Sequence, residues 1–594
     1  MFPPGIRPTA LIDFRSPDDG VASLRLAFGA PRERLRAMRL DEVAPLLARV
    51  DALARAGAWC VGYLCYEAAA AFDAAFETHA PTDATRPLAS FAAYDAPLPA
   101  DSAAFESPAT ATVRWTDGPR RAGFDAVLAE ILRAIADGEV YQVNATAPLV
   151  GELQGEPLAL FAALRRAQPH AYAAWLDLGT DAAPDDRVLS VSPELFFDWR
   201  AGRLLARPMK GTAPRGATPA EDAEQSAYLR SAAKERAENL MIVDLLRNDL
   251  SRLAEPHSVH VPRLFHTEAW PTVWQMSSDV VARTRRGTTL ADVFAALFPC
   301  GSITGAPKVQ AMRLVRALEP GPRGVYCGAV GVMQPGGAAT FNVPIRTLAL
   351  RTRGDTIEVR CGIGSGITAD ATADGEWAEW RHKRAFVDRA SQAFELLETL
   401  RLEEGRFVDA EAHLARMAEA AGHFGFAPPL AAARAALAEV GAAHPQACWR
   451  VRLLADRAGQ ASAQAFALAP TRPPVHVRLA REPLAGSDGE FVRFKTTHRA
   501  HYEAFAPTDD GVFDTLLWNE RGELTEFTRG NVALRLDGRW LTPALRSGLL
   551  PGIARARLLR EGTIAEAILT RDDLARADGL AFFNSLRGWL AATF

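Results

Sequence analysis

The sequence predicts an α+β protein built as two successive bodies, on three observations. Short apolar, strand-like runs are mixed with amphipathic helical stretches along the whole chain. The chain has 594 residues, 48% of them hydrophobic, which is enough for about three or four domain-sized units with large cores. The pattern of motifs then changes across DRASQAF (388–394), which puts the main boundary there. The first body is expected over residues 1–388, with an N-terminal portion over residues 1–120 and a motif-dense core over residues 121–388. The second is expected over residues 389–594.

Composition narrows the function classes. With 67 basic and 71 acidic residues the net charge is −4, so the concentrated basic excess that a nucleic-acid partner needs is missing. Six cysteines without paired metal spacing suit a reducing compartment better than a disulfide framework. The opening MFPPGIRPTALIDF lacks a signal-peptide layout, and the sequence has no apolar run long enough to span a membrane. The expectation is a soluble, cytoplasmic, multidomain enzyme.

Element by element, WCVGYLCYEAAAAF (59–72) predicts a buried strand running into a helix. The Pro-rich stretches near 80–100 and 116–120 predict surface loops. FDAVLAEILRAIADGEVYQVNAT predicts an amphipathic helix, a turn at Gly138 and a strand. Residues 186–212 read as strand, turn, strand, 220–254 as one long helical stretch, and 289–385 as alternating helices and strands. Past the boundary, two short strands flank Gly405 and an amphipathic helix begins near Glu411.

Chemistry-bearing residues cluster in the first body. Glu235 and Glu238 in SAAKERAENLMIVDLLRNDLSR stand three apart, as do Glu376 and Glu379 in DGEWAEWRHKRAF, with Lys383 four beyond Glu379. On helices each pair shares one face, and two such pairs could bring carboxylates around one Mg²⁺. For the spacing alone, a surface i,i+4 pair worth a few tenths of a kcal/mol is the default reading of Glu379 and Lys383. RCGIGSGITAD (360–370) alternates Gly with small residues and would offer bare backbone N–H groups to an anion. GSITGAPK (301–308) is a Gly-containing turn entering a helix, with Lys308 at its end. Arg346 falls on an expected strand, where a buried guanidinium needs a carboxylate partner. Lys210, between Pro208 and Gly211, is a turn lysine unless its surroundings desolvate it into a nucleophile.

Together YQVNAT (141–146), SPELFF (192–197), PMKGT (208–212), ENLMIVDLLRNDLSR (238–252), GSITGAPK, YCGAVG (326–331), IRTL (345–348), GIGSGITAD (362–370) and EWAEWRHK (376–383) resemble the chorismate-utilising enzymes. That family includes anthranilate synthase component I, isochorismate and salicylate synthases, and aminodeoxychorismate synthase component I. The resemblance implies an anthranilate synthase component I-like layered β-sheet fold with surrounding helices. It implies that Glu238 and Glu379 bind Mg²⁺, with Glu235 and Glu376 beside them. It also implies that Tyr326, Arg346, Thr304, Lys383 and the backbone of Gly364 and Gly366 hold the substrate, and that Glu194 is an acid/base. Anthranilate synthases carry alanine at the position of Lys210, whereas aminodeoxychorismate synthases carry lysine. There the lysine amine adds to ring C2 as the C4 hydroxyl leaves, and ammonia then enters at C4. Gln275 stands where many relatives have histidine. No segment resembles a class I glutaminase, so ammonia is expected from free ammonium or from a separate glutamine amidotransferase subunit.

In the second body, HLARM (413–417), FVRFKTTHRAHYE (491–503), LTEFTRGNVAL (524–534), LPGIAR (550–555) and FFNSLRG (582–588) resemble the fold-type IV pyridoxal-phosphate (PLP) enzymes. Their fold is a two-subdomain α/β body, and they include branched-chain and D-amino-acid aminotransferases and aminodeoxychorismate lyase. The resemblance implies that Lys495 is the PLP lysine and that Glu526 is the partner of the pyridinium nitrogen. It assigns Arg416, Ile553, Ala554 and Ser585 to the phosphate cradle, and it allows a homodimer through this body. Gly530 and His498 depart from the commoner serine and asparagine. The fusion implies 4-aminobenzoate formation, a step toward folate: amination of chorismate at C4, then PLP-dependent loss of pyruvate. Two alternatives stand beside it. One is an anthranilate synthase component I joined to an aminotransferase, and the other is a synthase with a non-catalytic docking module.

Overall fold

The computed structural model describes residues 7–18, 21–80, 86–99, 105, 107, 109–180, 186–215, 219–270, 273–487, 489–509 and 511–594. It separates into two compact units, Met1–Gln392 and Ala393–Phe594. The break falls later than residue 388 because the helix carrying Glu376 and Glu379, Ala373–Ser391, runs on without interruption.

Two large sheets make the frame of the first unit. One runs Gly305–Ala306, Gln142–Gly155, Thr356–Ile367, Thr347–Arg353, Arg187–Ser192, Tyr172–Asp177, Ala10–Phe14, Leu24–Phe28. The other runs Met209–Pro214, Val273–Arg283, Arg203–Arg207, Leu195–Arg200, Ala339–Asn342, Ala329–Met333, Trp59–Leu64, Ala89–Tyr94, Glu33–Ala37. Alternate residues of each strand bury on one face. Ile12, Phe14, Tyr172 and Leu176 of the first sheet therefore meet Val61, Tyr63, Val330 and Val332 of the second in a shared inner layer. Helices close both outer faces. Arg121–Ala136 packs on the first sheet through Phe124, Leu128, Ile131 and Ala134, spaced by four and three along one helical stripe. Leu40–Arg55 and Leu290–Leu297 cover the second sheet. The layers are helix, sheet, sheet, helix.

Several expectations are modified. Strands from the first 120 residues sit inside the same two sheets as those from residues 121–388, so the N-terminal portion and the core share one body, whereas the local elements differ in places. The Pro-rich stretch near 80–100 contains a strand, Ala89–Tyr94, with all six residues buried; residues 81–85 and 100 lie outside the described residues. Residues 186–212 form strands at Arg187–Ser192, Leu195–Arg200, Arg203–Arg207 and Met209–Pro214. The stretch 220–254 is broken into Pro219–Ser231 and Ala233–Ser251 at an extended Ala232. The Ser231 hydroxyl bonds back to the carbonyls of Ala227 and Tyr228 and closes the first of these helices.

In the second unit a four-stranded sheet centred on Leu396–Glu403 and Cys448–Ala455 carries the helices Ala410–Phe424 and Leu430–Ala443. An eight-stranded sheet includes Leu524–Phe527, Asp514–Trp518, Asn531–Leu536 and Gly579–Asn584. Lys495 is clipped to the first of these subdomains: its carbonyl accepts the Leu397 N–H, and the Thr497 hydroxyl accepts the Glu395 N–H.

Candidate active sites

In the first unit, Met209–Pro214 pairs with Val273–Arg283, and the register shifts between Met209 and Thr212. The irregularity, with Gly211 at φ +89°, turns Lys210 out of the ladder. Gln275 braces it, donating to the Gly211 carbonyl at 2.8 Å and accepting from the Thr212 hydroxyl at 2.9 Å. The residue that replaces the family's histidine therefore holds the lysine turn. Facing it, a Cβ on Gly366 would lie 2.6 Å from Lys210 Nζ and 2.9 Å from Gln142 Nε2. Glycine there is a space requirement.

The strand Thr356–Ile367 pairs with Thr347–Arg353 only as far as Cys361, while its other edge stays paired through Ile367. Lys383 Nζ donates to the Gly364 carbonyl on the open edge at 3.0 Å. Because both backbone groups of a strand residue point the same way, the amides of Gly364 and Gly366 lie on that edge too. Lys383 also pairs with Glu379 at 2.7 Å.

Electrostatics ties these pieces together. Burial lowers the Lys210 pKa, and the charges acting on it belong to Glu238, Lys383, Glu379 and Glu194. Glu194, 4% exposed, is pushed up to about 7 by burial although it accepts the Ser302 hydroxyl at 2.7 Å. Burial and then the Glu238 charge raise Glu235. Burial also raises Glu376, against the Ser365 hydroxyl that it accepts, with the Glu379 charge adding to the rise. Burial would raise Glu379 too, but Lys383 outweighs it and holds the carboxyl below its ordinary value. No group of three His, Cys, Asp or Glu close enough to hold a metal occurs among the described residues. The four carboxylates nevertheless come from two helices and repel one another, and they are the oxygen donors that a hard divalent cation takes.

Arg346 lies just before its strand at φ +50° rather than on it. Its guanidinium donates to Gln168 Oε1 and sits over the Phe386 ring. Burial and Arg389 bring it down to about 10, and among the described residues it has no carboxylate partner. Tyr326 is 8% exposed with its ring over Gly362. Thr304 is fully buried and gives its hydroxyl to the carbonyls of Cys300 and Gly301, so it does not open to the cluster. Lys308 is spent on Asp249 at 2.8 Å.

Two residues here escaped sequence reasoning. Gln142, inside YQVNAT, is wholly buried with both amide atoms unpartnered beside Lys210. Arg323 is buried, donates to Glu319 and to the carbonyls of Ile303 and Asn144, and braces the loop that carries Tyr326.

The second unit gathers another set. Lys495 is brought down to about 7 by burial, then by Arg499 and Arg416. Glu526, 3% exposed, rises to about 7 through burial. One of its oxygens accepts the Tyr502 hydroxyl at 2.6 Å and the Leu550 N–H at 3.1 Å. Arg416 is gripped by Glu398 at 2.8 and 2.7 Å and donates to the Pro551 carbonyl. The last contact places it beside the N-terminus of the helix Ile553–Arg560, where the Ile553 and Ala554 amides precede the first intrahelical bonds. Burial would raise Glu398, but Arg416 and His413 bring it to about 2. Ser585 sits at the tip of the hairpin joining Gly579–Asn584 to Gly588–Thr593, with no hydrogen bond to that cluster among the described residues. A Cβ on Gly530 would press on the Phe582 ring at 2.5 Å, which excludes the commoner serine. Tyr502, Arg499, Glu398 and His413 were not singled out from sequence. The set fits PLP: a lysine whose amine titrates near neutrality, a buried carboxyl, and an arginine next to a helix N-terminus.

Residues 395–593 match the amino-transferase class IV family. Aminodeoxychorismate synthase component 1 of Klebsiella aerogenes is 39% identical over 48% of this chain and 60% of its own length. Aminodeoxychorismate synthase of Streptomyces pristinaespiralis is 44% identical over 42% of this chain and 34% of its own. The chain thus spans at most about three fifths of these relatives. In fold, the first unit resembles anthranilate synthase component I from Streptococcus pneumoniae TIGR4, with TM-score 0.50, 22% identity, and coverage of 65% of this chain and 93% of that one. Residues 21–389, well over half of the sequence, match the chorismate binding enzymes, and the chain belongs to that family.

Proposed function

We propose that the chain makes 4-aminobenzoate, the first unit aminating chorismate at C4 and the second eliminating pyruvate from the 4-amino-4-deoxychorismate so formed. The observation that carries the reading is Lys210: a desolvated amine at the Gly366 gap, within charge range of Glu194, Glu238, Glu379 and Lys383. Burial that lowers an amine's pKa favours its nucleophilic form, and a carboxyl titrating near 7 is an acid at neutral pH.

The Lys210 nitrogen would add to ring C2 as both conjugated ring double bonds shift (C1=C2 to C1=C6, C5=C6 to C4=C5) and the C4–O bond breaks, with Glu194 giving its proton to the departing hydroxide. Ammonia would then add at C4, both double bonds would shift back, and the C2–N bond to the lysine amine would break, restoring the original ring diene. Arg346, Tyr326, Lys383 and the amides of Gly364 and Gly366 are proposed to hold the two carboxylates of chorismate. Glu238 and Glu379, with Glu235 and Glu376 beside them, would hold Mg²⁺, and its positive charge would help bind the ring carboxylate. Ammonia is proposed to come from glutamine through a separate amidotransferase subunit.

In the second unit PLP supplies an aldehyde and an electron sink when bound. Lys495 would bond to it and then move the proton at C4, the carbon bearing the substrate amine. Glu526, held by Tyr502, would face the ring nitrogen, and Arg416 with the Ile553 and Ala554 amides would hold the phosphate; Ser585 is the proposed outer wall of that cradle. Aromatisation of the ring favours loss of pyruvate. Dimerisation through this unit and a cytoplasmic location belong to the same reading. Among the described residues no helix is long and apolar enough to cross a membrane.

The test is mass-resolved product analysis with chorismate, Mg²⁺ and ammonium, with and without PLP. 4-Aminobenzoate and pyruvate are expected only with PLP, and 4-amino-4-deoxychorismate without it. Anthranilate, or unchanged chorismate, would overturn the assignment.

A further inference from the structure

The inner face of the strand Thr356–Ile367 carries Glu358, Arg360, Gly362, Gly364 and Gly366 at successive alternate positions. The last two serve the Lys210 site. The first three line a separate cavity in the same unit, and Tyr326, packed over Gly362, borders it. Arg86 enters this cavity ahead of the strand Ala89–Tyr94.

The acids of the cavity wall are already engaged. Asp186 accepts the Tyr63 and Ser90 hydroxyls, and Glu67 accepts the Arg323 and Gly324 N–H groups at 2.7 and 3.1 Å. Glu319 holds Arg323, and Glu358 holds Arg353. Arg86 and Arg360 are left over. Both are half-buried, and neither has a hydrogen bond or ion pair among the described residues. They are close enough that the charge of Arg86, after burial, holds the Arg360 pKa below its ordinary value. The Glu358 and Glu67 charges offset burial and Arg86 at Arg360 only in part, and Asp186 acts on Arg86 from a distance; two like charges facing one space, partly out of water and without a hydrogen-bonded acid, favour an anion that joins them. Guanidinium forks match carboxylate and phosphate oxygens in paired hydrogen bonds.

We propose that this cavity binds a compact dianion, a small dicarboxylate or a phosphate, between Arg86 and Arg360, at a site distinct from that of chorismate. The occupant would lie against the loop that carries Tyr326, so its binding would be felt at the neighbouring site.

The experiment is calorimetric titration of the full chain with malonate and, separately, inorganic phosphate at constant ionic strength, paired with thermal unfolding. Saturable binding is expected, with the tighter probe identifying the source of the dianion. R86Q and R360Q should each weaken it about tenfold or more, while R346Q, in the chorismate site, should leave it unchanged. Without probe, R360Q should unfold at the same temperature as the parent or higher, because it removes an unpaired charge; a purely structural arginine would lower it. The proposal fails if neither probe binds up to about 10 mM, if binding survives in the R86Q/R360Q double variant, or if R346Q abolishes it.

Discussion

Replacing Arg499 by Gln tests how the second unit prepares its lysine. Lys495 would titrate at 10.5 in water; burial, then Arg499, then Arg416 bring it to about 7. A displacement of about 3.5 pH units corresponds to about 5 kcal/mol in favour of the neutral amine. At pH 7.5 roughly three quarters of the lysine would be unprotonated, against about one in a thousand for an ordinary lysine. Arg499 is the largest charge acting on it, so R499Q should raise the midpoint by about one unit. R499K keeps the charge and should not move it, although it loses the stacking of the guanidinium on Tyr502, 4.4 Å from the ring centroid. The assay is competitive acetylation of the PLP-free protein across pH, with Lys495 followed by mass spectrometry. A parent midpoint near 10, or one that R499K shifts as far as R499Q does, would refute the electrostatic account.

Other consequences follow from the same contacts. Lys210→Ala should lower C4 amination by about 10²–10⁴-fold with an unchanged unfolding temperature, measured by product chromatography; retained amination would remove the lysine from the mechanism. Gly366→Ala puts a methyl group 2.6 Å from Lys210 Nζ and should reduce turnover far more than stability, read from steady-state kinetics alongside melting. Glu194 titrates near 4.5 unfolded and about 7 folded, so its stabilising contribution is full below pH 4.5 and is lost as pH rises through 7. Glu194→Gln should flatten that decline, by up to about 3 kcal/mol, in denaturant titrations from pH 5 to pH 8. Glu398→Gln weakens the grip on Arg416 and His413, and should destabilise the second unit by about 3 kcal/mol and weaken PLP retention on dialysis.

Periodic features were legible before folding. The spacing of Phe124, Leu128, Ile131 and Ala134 already specified a helix with one apolar stripe. The three-residue spacing of Glu376 and Glu379 put both on one helix, with Lys383 one turn on. These follow from backbone geometry that repeats over a few residues. Lys210 stood out through its Pro and Gly neighbours, but the irregular pairing that frees it belongs to a strand more than sixty positions away. It took the folded chain to show that Gln142 shares the Gly366 gap with Lys210, that Tyr502 holds Glu526, and that Arg323 braces three separate segments. It also showed that a fully buried strand hides among prolines at 89–94. None of these residues carries a local pattern, because a partner brought in from a distant strand is chosen by the packing of two sheets, and that information is spread over the whole chain.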